Sequence, residues 1–212
     1  MSSTGRGPRL GGQEDFYVTP AWCVDRLLEV WHPTERGTWL EPAAGNGAII
    51  RAAKALRPDV YWAAVEVREE ERAALAATGA TVQIGDFLEA APISDVSAVI
   101  GNPPFAMAME FVQRALAVYP NARVAFLLRL NFAGSEERGA FMRRFPPTVY
   151  VLPNRPAFAN GKTDSCEYAW FAWPRGEHRE RDDGHFRVLA STPKGERTAK
   201  AAEHRPLFGG AV

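Results

Sequence analysis

The sequence predicts an α/β fold with a mostly parallel, doubly wound sheet and helices on both faces. Apolar segments rich in Val, Ile and aromatic residues alternate with segments of helical periodicity along most of the chain. The 212 residues suffice for one domain with a sizeable core, and 46% of them are hydrophobic. Glycine and polar residues follow the predicted strands, at the edge where an open parallel sheet gathers its ligands.

The predicted elements follow one another in a regular order. The first is a helix over 18–31, with Thr19 as the expected N-cap and Pro20 in the first turn. Predicted helices then occupy 48–56, 70–78 and 108–119. Predicted strands occupy 38–42, 59–67, 81–86, 96–102 and 123–130, with further strands at 148–152, 167–173 and 185–190.

Composition sets the expected domain organisation and location. Residues 1–12 are rich in Gly, Ser and Arg and predict a flexible N-terminal arm, 13–174 form the main domain, and 175–212 are a short polar extension. The arm lacks the apolar core of a signal peptide, so a cytoplasmic location is expected. No apolar run approaches the roughly 20 residues that span a membrane, so no membrane partner is expected.

Charge and metal-ligand patterns narrow the function further. The two cysteines share no motif and no HxxH or HExxH pairing exists, so no metal is predicted. The formal net charge of zero argues against a generally basic nucleic-acid binder. Residues 121–165 nevertheless hold seven basic and three acidic residues, a local excess that can follow a phosphate backbone or form a solvated face.

The first predicted strand runs into the sequence LEPAAGNGAII. Gly45 and Gly47 allow a tight turn that brings backbone close to a ligand, although such turns are also common structural features. Glu41 would repel a pyrophosphate, but its carboxylate suits the ammonium group of a cofactor that carries an amino acid.

Acidic residues also follow the second and third predicted strands. Glu66, in VEVRE, can accept hydrogen bonds from both ribose hydroxyls of an adenosine. Asp86, in GDFLE, can accept from an adenine amine while Phe87 packs on the purine, and a helix cap is the alternative for Asp86.

The fourth of these strands ends in GNPPF. The side chain of Asn102 offers a carbonyl acceptor, and Pro103 and Pro104 hold the backbone rigid. Two fixed acceptors, from Asn102 and the Pro103 backbone, match the two N–H bonds of an exocyclic amine, and Phe105 can stack on its ring. A strand-to-helix turn is the alternative explanation for NPP alone.

Together these motifs resemble the amino-group DNA methyltransferases that use S-adenosylmethionine. The order VTP (18–20), EPAAGNG (41–47), VE (65–66), GDF (85–87) and NPPF (102–105) is similar to that of gamma-type N6-adenine enzymes. The later RLNFAGS, LPNRPAF and TDSCEYAWFAW resemble small phage and prophage members. The resemblance covers about 17–173 and implies a Rossmann-like methyltransferase domain over 13–174.

The resemblance implies a role for each matching residue. Thr19 would contact the methionine carboxylate of the cofactor and Glu41 its amino group. The remaining cofactor-binding set would be Ala43, Gly45, Gly47, Glu66 for the ribose, Asp86 and Phe87 for the adenine, and Asn102. The catalytic set would be Asn102, Pro103, Pro104 and Phe105, with Phe158 as a second aromatic packed against the target base.

This arrangement explains how an aromatic amine becomes reactive. Its lone pair is delocalised into the ring, and acceptors on both N–H bonds favour a tetrahedral nitrogen aimed at the sulfonium methyl. The sequence predicts no metal, covalent intermediate or strong base, and the target base must be flipped out or single-stranded.

The chain departs from the family in one respect. Sequence-specific gamma enzymes add a large recognition domain, whereas only 175–212 follow here. We therefore expect weak or short sequence preference, or a homodimer or partner that supplies it. Contacts to the DNA backbone are expected from Arg129, Arg143, Arg144, Arg155 and Lys162.

Four alternatives share parts of this pattern. N6-adenine methyltransferases of RNA also carry NPPF or NPPY, usually with appended RNA-binding segments. Protein glutamine methyltransferases prefer Tyr at the fourth position and lack the TP element, and N4-cytosine enzymes favour Ser at position 102. A non-catalytic nucleic-acid-binding subunit would lose the glycine loop or NPPF, and this chain keeps both.

Overall fold

The computed structural model describes residues 17–33, 37–158, 165–176 and 184–197, so the predicted arm 1–12 lies outside the described residues. The strands are β1 Thr38–Glu41, β2 Tyr61–Glu66, β3 Thr81–Ile84, β4 Val96–Gly101, β5 Arg123–Arg129, β6 Thr148–Leu152, β7 Tyr168–Trp173 and β8 Phe186–Val188. The helices are α1 Ala21–Leu28, α2 Ala48–Leu56, α3 Arg72–Ala76, α4 Ala108–Val118 and α5 Glu136–Arg144. Short 3-10 turns occupy Glu69–Glu71, Phe105–Met107, Leu130–Ala133 and Lys194–Glu196.

The eight strands form one sheet in the order β3-β2-β1-β4-β5-β7-β6-β8. β7 is antiparallel to β5 and β6, and the remaining neighbours are parallel. The chain reverses its direction of travel across the sheet between β1 and β4, which opens a crevice outside the carboxyl ends of these strands. The predicted α/β fold with a mostly parallel sheet is confirmed.

Both faces of the sheet are buried. Trp39 and Leu40 are neighbours in β1 and are both fully buried, but they belong to different hydrophobic clusters because successive strand residues point to opposite faces. Helices α1 and α2 cover the face of Trp39, and α4 covers the face of Leu40. Because helices cover both faces of the sheet, side chains on both sides of each central strand are buried, and the strand sequences are continuous apolar runs.

The prediction for the first helix was wrong in detail, and one helix was not predicted. Helix α1 begins at Ala21 with Pro20 as its N-cap and no side-chain cap, because the Thr19 hydroxyl accepts a hydrogen bond from Asn102 instead. Helix α5 was not predicted, since its sequence EERGAFMRR is too polar to give a clear apolar periodicity. Ser135 caps it by accepting from the Arg138 backbone N–H at 3.1 Å.

The described part of the polar extension, 184–197, packs against the sheet. Strand β8 pairs in parallel with β6, at the position predicted for a last strand. Thr192 is 1% exposed, and its backbone N–H donates to Asn154 Oδ1 at 2.7 Å. Arg26 of α1 donates to the Thr192 hydroxyl at 3.0 Å, which ties the segment to the first helix. Within the described ranges, no helix is long and apolar enough to cross a membrane.

Candidate active site

A cavity lies at the carboxyl edge of the sheet, beside the crevice between β1 and β4. Its wall is built from the residues that follow β1, β2, β3 and β4 and from the segment that precedes α1. The wall includes the predicted residues Thr19, Glu41, Ala43, Gly45, Glu66, Asp86, Phe87, Asn102 and Pro104. The topology therefore brings together side chains that lie far apart in the sequence.

The two glycines of the loop after β1 have different structural roles. Gly45 has a φ of 52° and lines the cavity, and its N–H donates to Glu66 Oε2 at 2.6 Å. Gly47 has a φ of 80° and precedes α2, but it does not line the cavity. A Cβ at Gly47 would lie 2.8 Å from Thr78 Cγ2, so this glycine serves the turn and its packing against Thr78.

Glu66 is held in the cavity wall from two sides. It is 5% exposed, and its Oε1 accepts from the Arg68 backbone N–H at 3.0 Å and from Arg68 Nε at 2.9 Å. Its Oε2 accepts from Gly45, so the carboxylate links the end of β2 to the glycine loop. Arg68 was not predicted from the sequence, although it lies only two residues after Glu66.

Glu41 is a buried carboxylate with an unused acceptor. It is 2% exposed, and its Oε2 has no hydrogen-bond partner among the described residues. Burial raises the pKa of Glu41 well above its ordinary value, and the nearby Glu66 carboxylate raises it further, against the lowering effects of the Ile50 backbone and Arg51. An uncompensated carboxylate in a cavity wall fits a cationic group of a ligand.

Asp86 and Phe87 lie at the side of the cavity that follows β3. Asp86 Oδ1 accepts from the Leu88 backbone N–H at 2.9 Å and stabilises a turn, whereas the alternative expected from the sequence was a helix cap. Phe87 is 4% exposed and packs against Phe111 of α4 at 5.2 Å between ring centroids. Both side chains line the cavity, so they can also meet a flat apolar ligand there.

Asn102 points its amide into the same cavity. Its Nδ2 donates to Thr19 Oγ1 at 3.1 Å, and its Oδ1 is buried with no hydrogen-bond partner within the described part of the chain. Pro103 is buried behind it, and Pro104 lies in the cavity wall. A buried polar atom is normally paired, so the orphaned Oδ1 is an acceptor that a ligand donor could satisfy.

Phe105 lies in a cluster of four aromatic rings beside Asn102. Its centroid is 5.4 Å from that of Tyr17, 5.5 Å from that of Tyr168 and 6.4 Å from that of Phe158. Phe158 is itself 5.3 Å from Tyr17 and 5.1 Å from Tyr168. The structure thus brings Phe105 and Phe158 together, while the sequence analysis missed Tyr17 and Tyr168.

Two of the predicted DNA-contacting arginines lie at this carboxyl edge. The Arg129 guanidinium lies 4.7 Å from the centroid of Phe105. Arg155 forms an ion pair with Glu167, and this hydrogen-bonded arginine lowers the pKa of Glu167. Lys162 lies outside the described residues.

Arg143 and Arg144 lie at the opposite edge of the sheet. They end α5, which leads into the start of β6, and β6 runs in the same direction as β5. The neighbouring Phe145 carbonyl accepts from Trp173 Nε1 at 2.9 Å, and Trp173 pairs with Val124 near the beginning of β5. The structure therefore does not bring these two arginines to the cavity.

Across the described ranges, no group of three or more His, Cys, Asp or Glu side chains is placed to hold a metal ion.

Comparison with known proteins identifies the fold. No protein-family model matches the chain, and no curated protein sequence matches it. A protein from Listeria monocytogenes assigned to the class I S-adenosylmethionine-dependent methyltransferases superposes with a TM-score of 0.63 at 15% identity, over 91% of this chain and 71% of that one. The 23S rRNA methyltransferase ErmE gives 0.59 at 17% identity, over 76% and 70%. A dimethyladenosine transferase from Plasmodium falciparum gives 0.59 at 10% identity, over 79% and 66%. The chain has the Rossmann-like fold of the class I methyltransferases.

Proposed function

We propose that this protein transfers the methyl group of S-adenosylmethionine to the exocyclic N6 amine of adenine in DNA. The observation that carries the proposal is the buried Asn102 Oδ1, which has no partner among the described residues. It lies in the wall of the cavity, and the aromatic pair Phe105 and Phe158 lies close by. A fixed acceptor beside stacking rings suits an aromatic amine.

The cavity wall fits the proposed cofactor group by group. Glu41 would receive the ammonium group, which supplies the missing partner of its Oε2. The Thr19 hydroxyl accepts from Asn102, so its own proton is available for the cofactor carboxylate. Glu66 would accept from the ribose hydroxyls, and Asp86 and Phe87 would meet the adenine. When bound, the cofactor supplies an electrophilic methyl group on a sulfonium.

The residues of NPPF would prepare the acceptor nitrogen. Asn102 Oδ1 and the Pro103 carbonyl would each accept one N–H of the amine, which draws its lone pair out of conjugation with the ring. As the nitrogen gains positive charge during transfer, these preorganised dipoles stabilise it. Thr19 keeps the amide of Asn102 oriented, and Phe105 and Phe158 hold the base plane.

Adenine in RNA is the second candidate acceptor. The groups proposed to hold the target are assigned only to its base, which adenine nucleotides of DNA and RNA share. Two of the similar solved structures are a 23S rRNA methyltransferase and a dimethyladenosine transferase, which supports this alternative.

The test uses S-adenosylmethionine tritiated in its methyl group and three acceptors: duplex DNA, single-stranded DNA and transcribed RNA, all free of methylation. The products are digested to nucleosides and separated. Label in N6-methyldeoxyadenosine supports the proposal, and its spread over sequence contexts measures specificity. Label only in N6-methyladenosine selects the RNA alternative, and no labelled nucleoside contradicts both.

A further inference from the structure

Arg129 is the last residue of β5, and its guanidinium lies over the ring of Phe105. The distance from Arg129 Cζ to the ring centroid is 4.7 Å. In the antiparallel pairing of β5 with β7, Arg129 lies opposite Tyr168, and its Nε donates to the Tyr168 hydroxyl at 3.4 Å. Strand pairing and a side-chain hydrogen bond together hold the guanidinium in this place.

Tyr168 extends this contact to the second aromatic residue of the pocket. Its side chain is completely buried, and its ring lies 5.5 Å from Phe105 and 5.1 Å from Phe158. Arg129 and Tyr168 thus both pack against the rings that are proposed to contact the target base. Neither residue lines the cofactor cavity.

A guanidinium over an aromatic ring has two consequences for the ring. The contact is attractive, because the planar cation faces the negative quadrupole of the ring, and it limits the rotation of the ring. It also covers one of the two faces of Phe105. A base that stacks on Phe105 must then use the ring face opposite Arg129, so the cation restricts the side from which the base enters.

We propose that Arg129 is a positioning residue for the target base, which acts by fixing the ring of Phe105 and leaving only the ring face opposite the guanidinium for the base. This inference rests on the proposed function, since it concerns the acceptor base of that reaction. It replaces the role expected from the sequence, in which Arg129 contacts the phosphate backbone.

The test compares Arg129→Met, Arg129→Lys and Tyr168→Phe with the wild type on the polymer that the wild type labels. The measurements are kcat, KM for the polymer, Kd for the cofactor, and the salt dependence of polymer binding. We expect Arg129→Met to lower kcat about tenfold, the size of a partly desolvated cation–π contact. Arg129→Lys should also lower kcat, because an ammonium group does not replace a stacked guanidinium. Cofactor Kd and the salt dependence should not change.

The chain offers a matched control at the opposite edge of the sheet. Arg57 lies over the ring of Trp39 at 5.0 Å and precedes β2, so Arg57→Met removes the same kind of contact away from the cavity. It should leave kcat and KM unchanged. Tyr168→Phe keeps the buried ring and removes only the hydroxyl, so it tests the positioning even if Arg129→Met folds poorly; it should lower kcat by a smaller factor.

The outcomes separate this inference from the proposed function. If the wild type labels no nucleic acid, the proposed function fails and the inference fails with it. A second outcome is that the wild type is active, Arg129→Lys has the same activity and Arg129→Met has a higher KM. If the salt dependence of polymer binding also falls by about one in slope for Arg129→Met, Arg129 is a phosphate contact, and only the inference fails. The inference about Arg129 would also be overturned if all three variants had the kcat of the wild type.

Discussion

A single hydrogen bond, from Asn102 Nδ2 to Thr19 Oγ1 at 3.1 Å, joins the end of β4 to the segment before α1. The Asn102 amide nitrogen donates to the Thr19 hydroxyl, so the amide oxygen of Asn102 remains as an acceptor for a hydrogen bond from a ligand. Both residues lie in the wall of the cavity, and Thr19 is 5% exposed. Thr19 therefore has two roles in this account, as a cofactor contact and as the group that orients Asn102.

Thr19→Val should separate these roles from simple packing. The substitution keeps the shape of the side chain but leaves the buried Asn102 amide nitrogen without its acceptor, which should lower the free energy of unfolding by about 1–3 kcal/mol. We also expect a lower kcat and a higher Kd for the cofactor. Thr19→Ser keeps the hydroxyl and is the control. Equal activity of the Val and Ser variants in the tritium assay would show that the Thr19 hydroxyl has no role in the site.

Glu41 should make the stability of the free protein depend on pH. Burial raises its pKa in the folded state, so the folded protein binds a proton more tightly than the unfolded chain does. The free energy of unfolding should then fall as pH rises above the ordinary glutamate pKa of about 4.3, until the folded-state pKa is passed. Glu41→Gln should remove this fall and stabilise the free protein at neutral pH by about 1–3 kcal/mol.

The same Glu41→Gln variant should bind S-adenosylmethionine more weakly, because the amide cannot pair with an ammonium group. Denaturant unfolding across pH and calorimetric titration measure the two effects on one preparation. A variant that lost stability at neutral pH, or kept its cofactor affinity, would contradict the placement of the ammonium beside Glu41.

Glu66→Gln should act first on cofactor affinity. It removes the charge that accepts from Gly45 and Arg68 and that would accept from the ribose, so we expect Kd to rise about ten- to a hundredfold. The exposed Glu69, which pairs with Arg72, gives the control Glu69→Gln, and its Kd should stay at the wild-type value. An unchanged Kd for Glu66→Gln would exclude Glu66 from the cofactor site.

Phe105→Leu should weaken the acceptor side of the reaction. Loss of stacking with one base is worth about 1–3 kcal/mol, so kcat/KM for the nucleic acid should fall roughly five- to hundredfold while cofactor affinity stays. Phe132→Leu is the control for lost packing, since Phe132 is 4% exposed and packs against Phe171 in the core. If both variants lose the same activity, the effect comes from destabilisation and not from stacking.

The sequence predicted those parts of the fold and site that have a local signature. The apolar runs located the eight strands, and the side chains that follow β1 to β4 line one cavity, because parallel strands end at the same edge. Glu41, Glu66 and Asn102 were identifiable because each comes directly at or after such an end.

The parts that were missed depend on tertiary contacts. Nothing local in β7 indicates that it lies between β5 and β6 and runs against them, yet this insertion places Tyr168 behind Phe105 and Phe158. The same topology places Arg129 at the carboxyl edge of the sheet and Arg144 at the opposite edge, although both belong to one basic segment of the sequence. Thr19 looked like a helix cap, because its partner Asn102 lies 83 residues away.

Asn102→Ala is the sharpest test of whether Asn102 holds the acceptor amine. Tritium transfer and cofactor affinity are measured on the same preparation. Transfer to nucleic acid should fall by at least about a hundredfold, as expected when a preorganised hydrogen-bonding group is removed from a reacting centre, while cofactor Kd should stay close to that of the wild type. Near wild-type turnover in Asn102→Ala would contradict this role of Asn102.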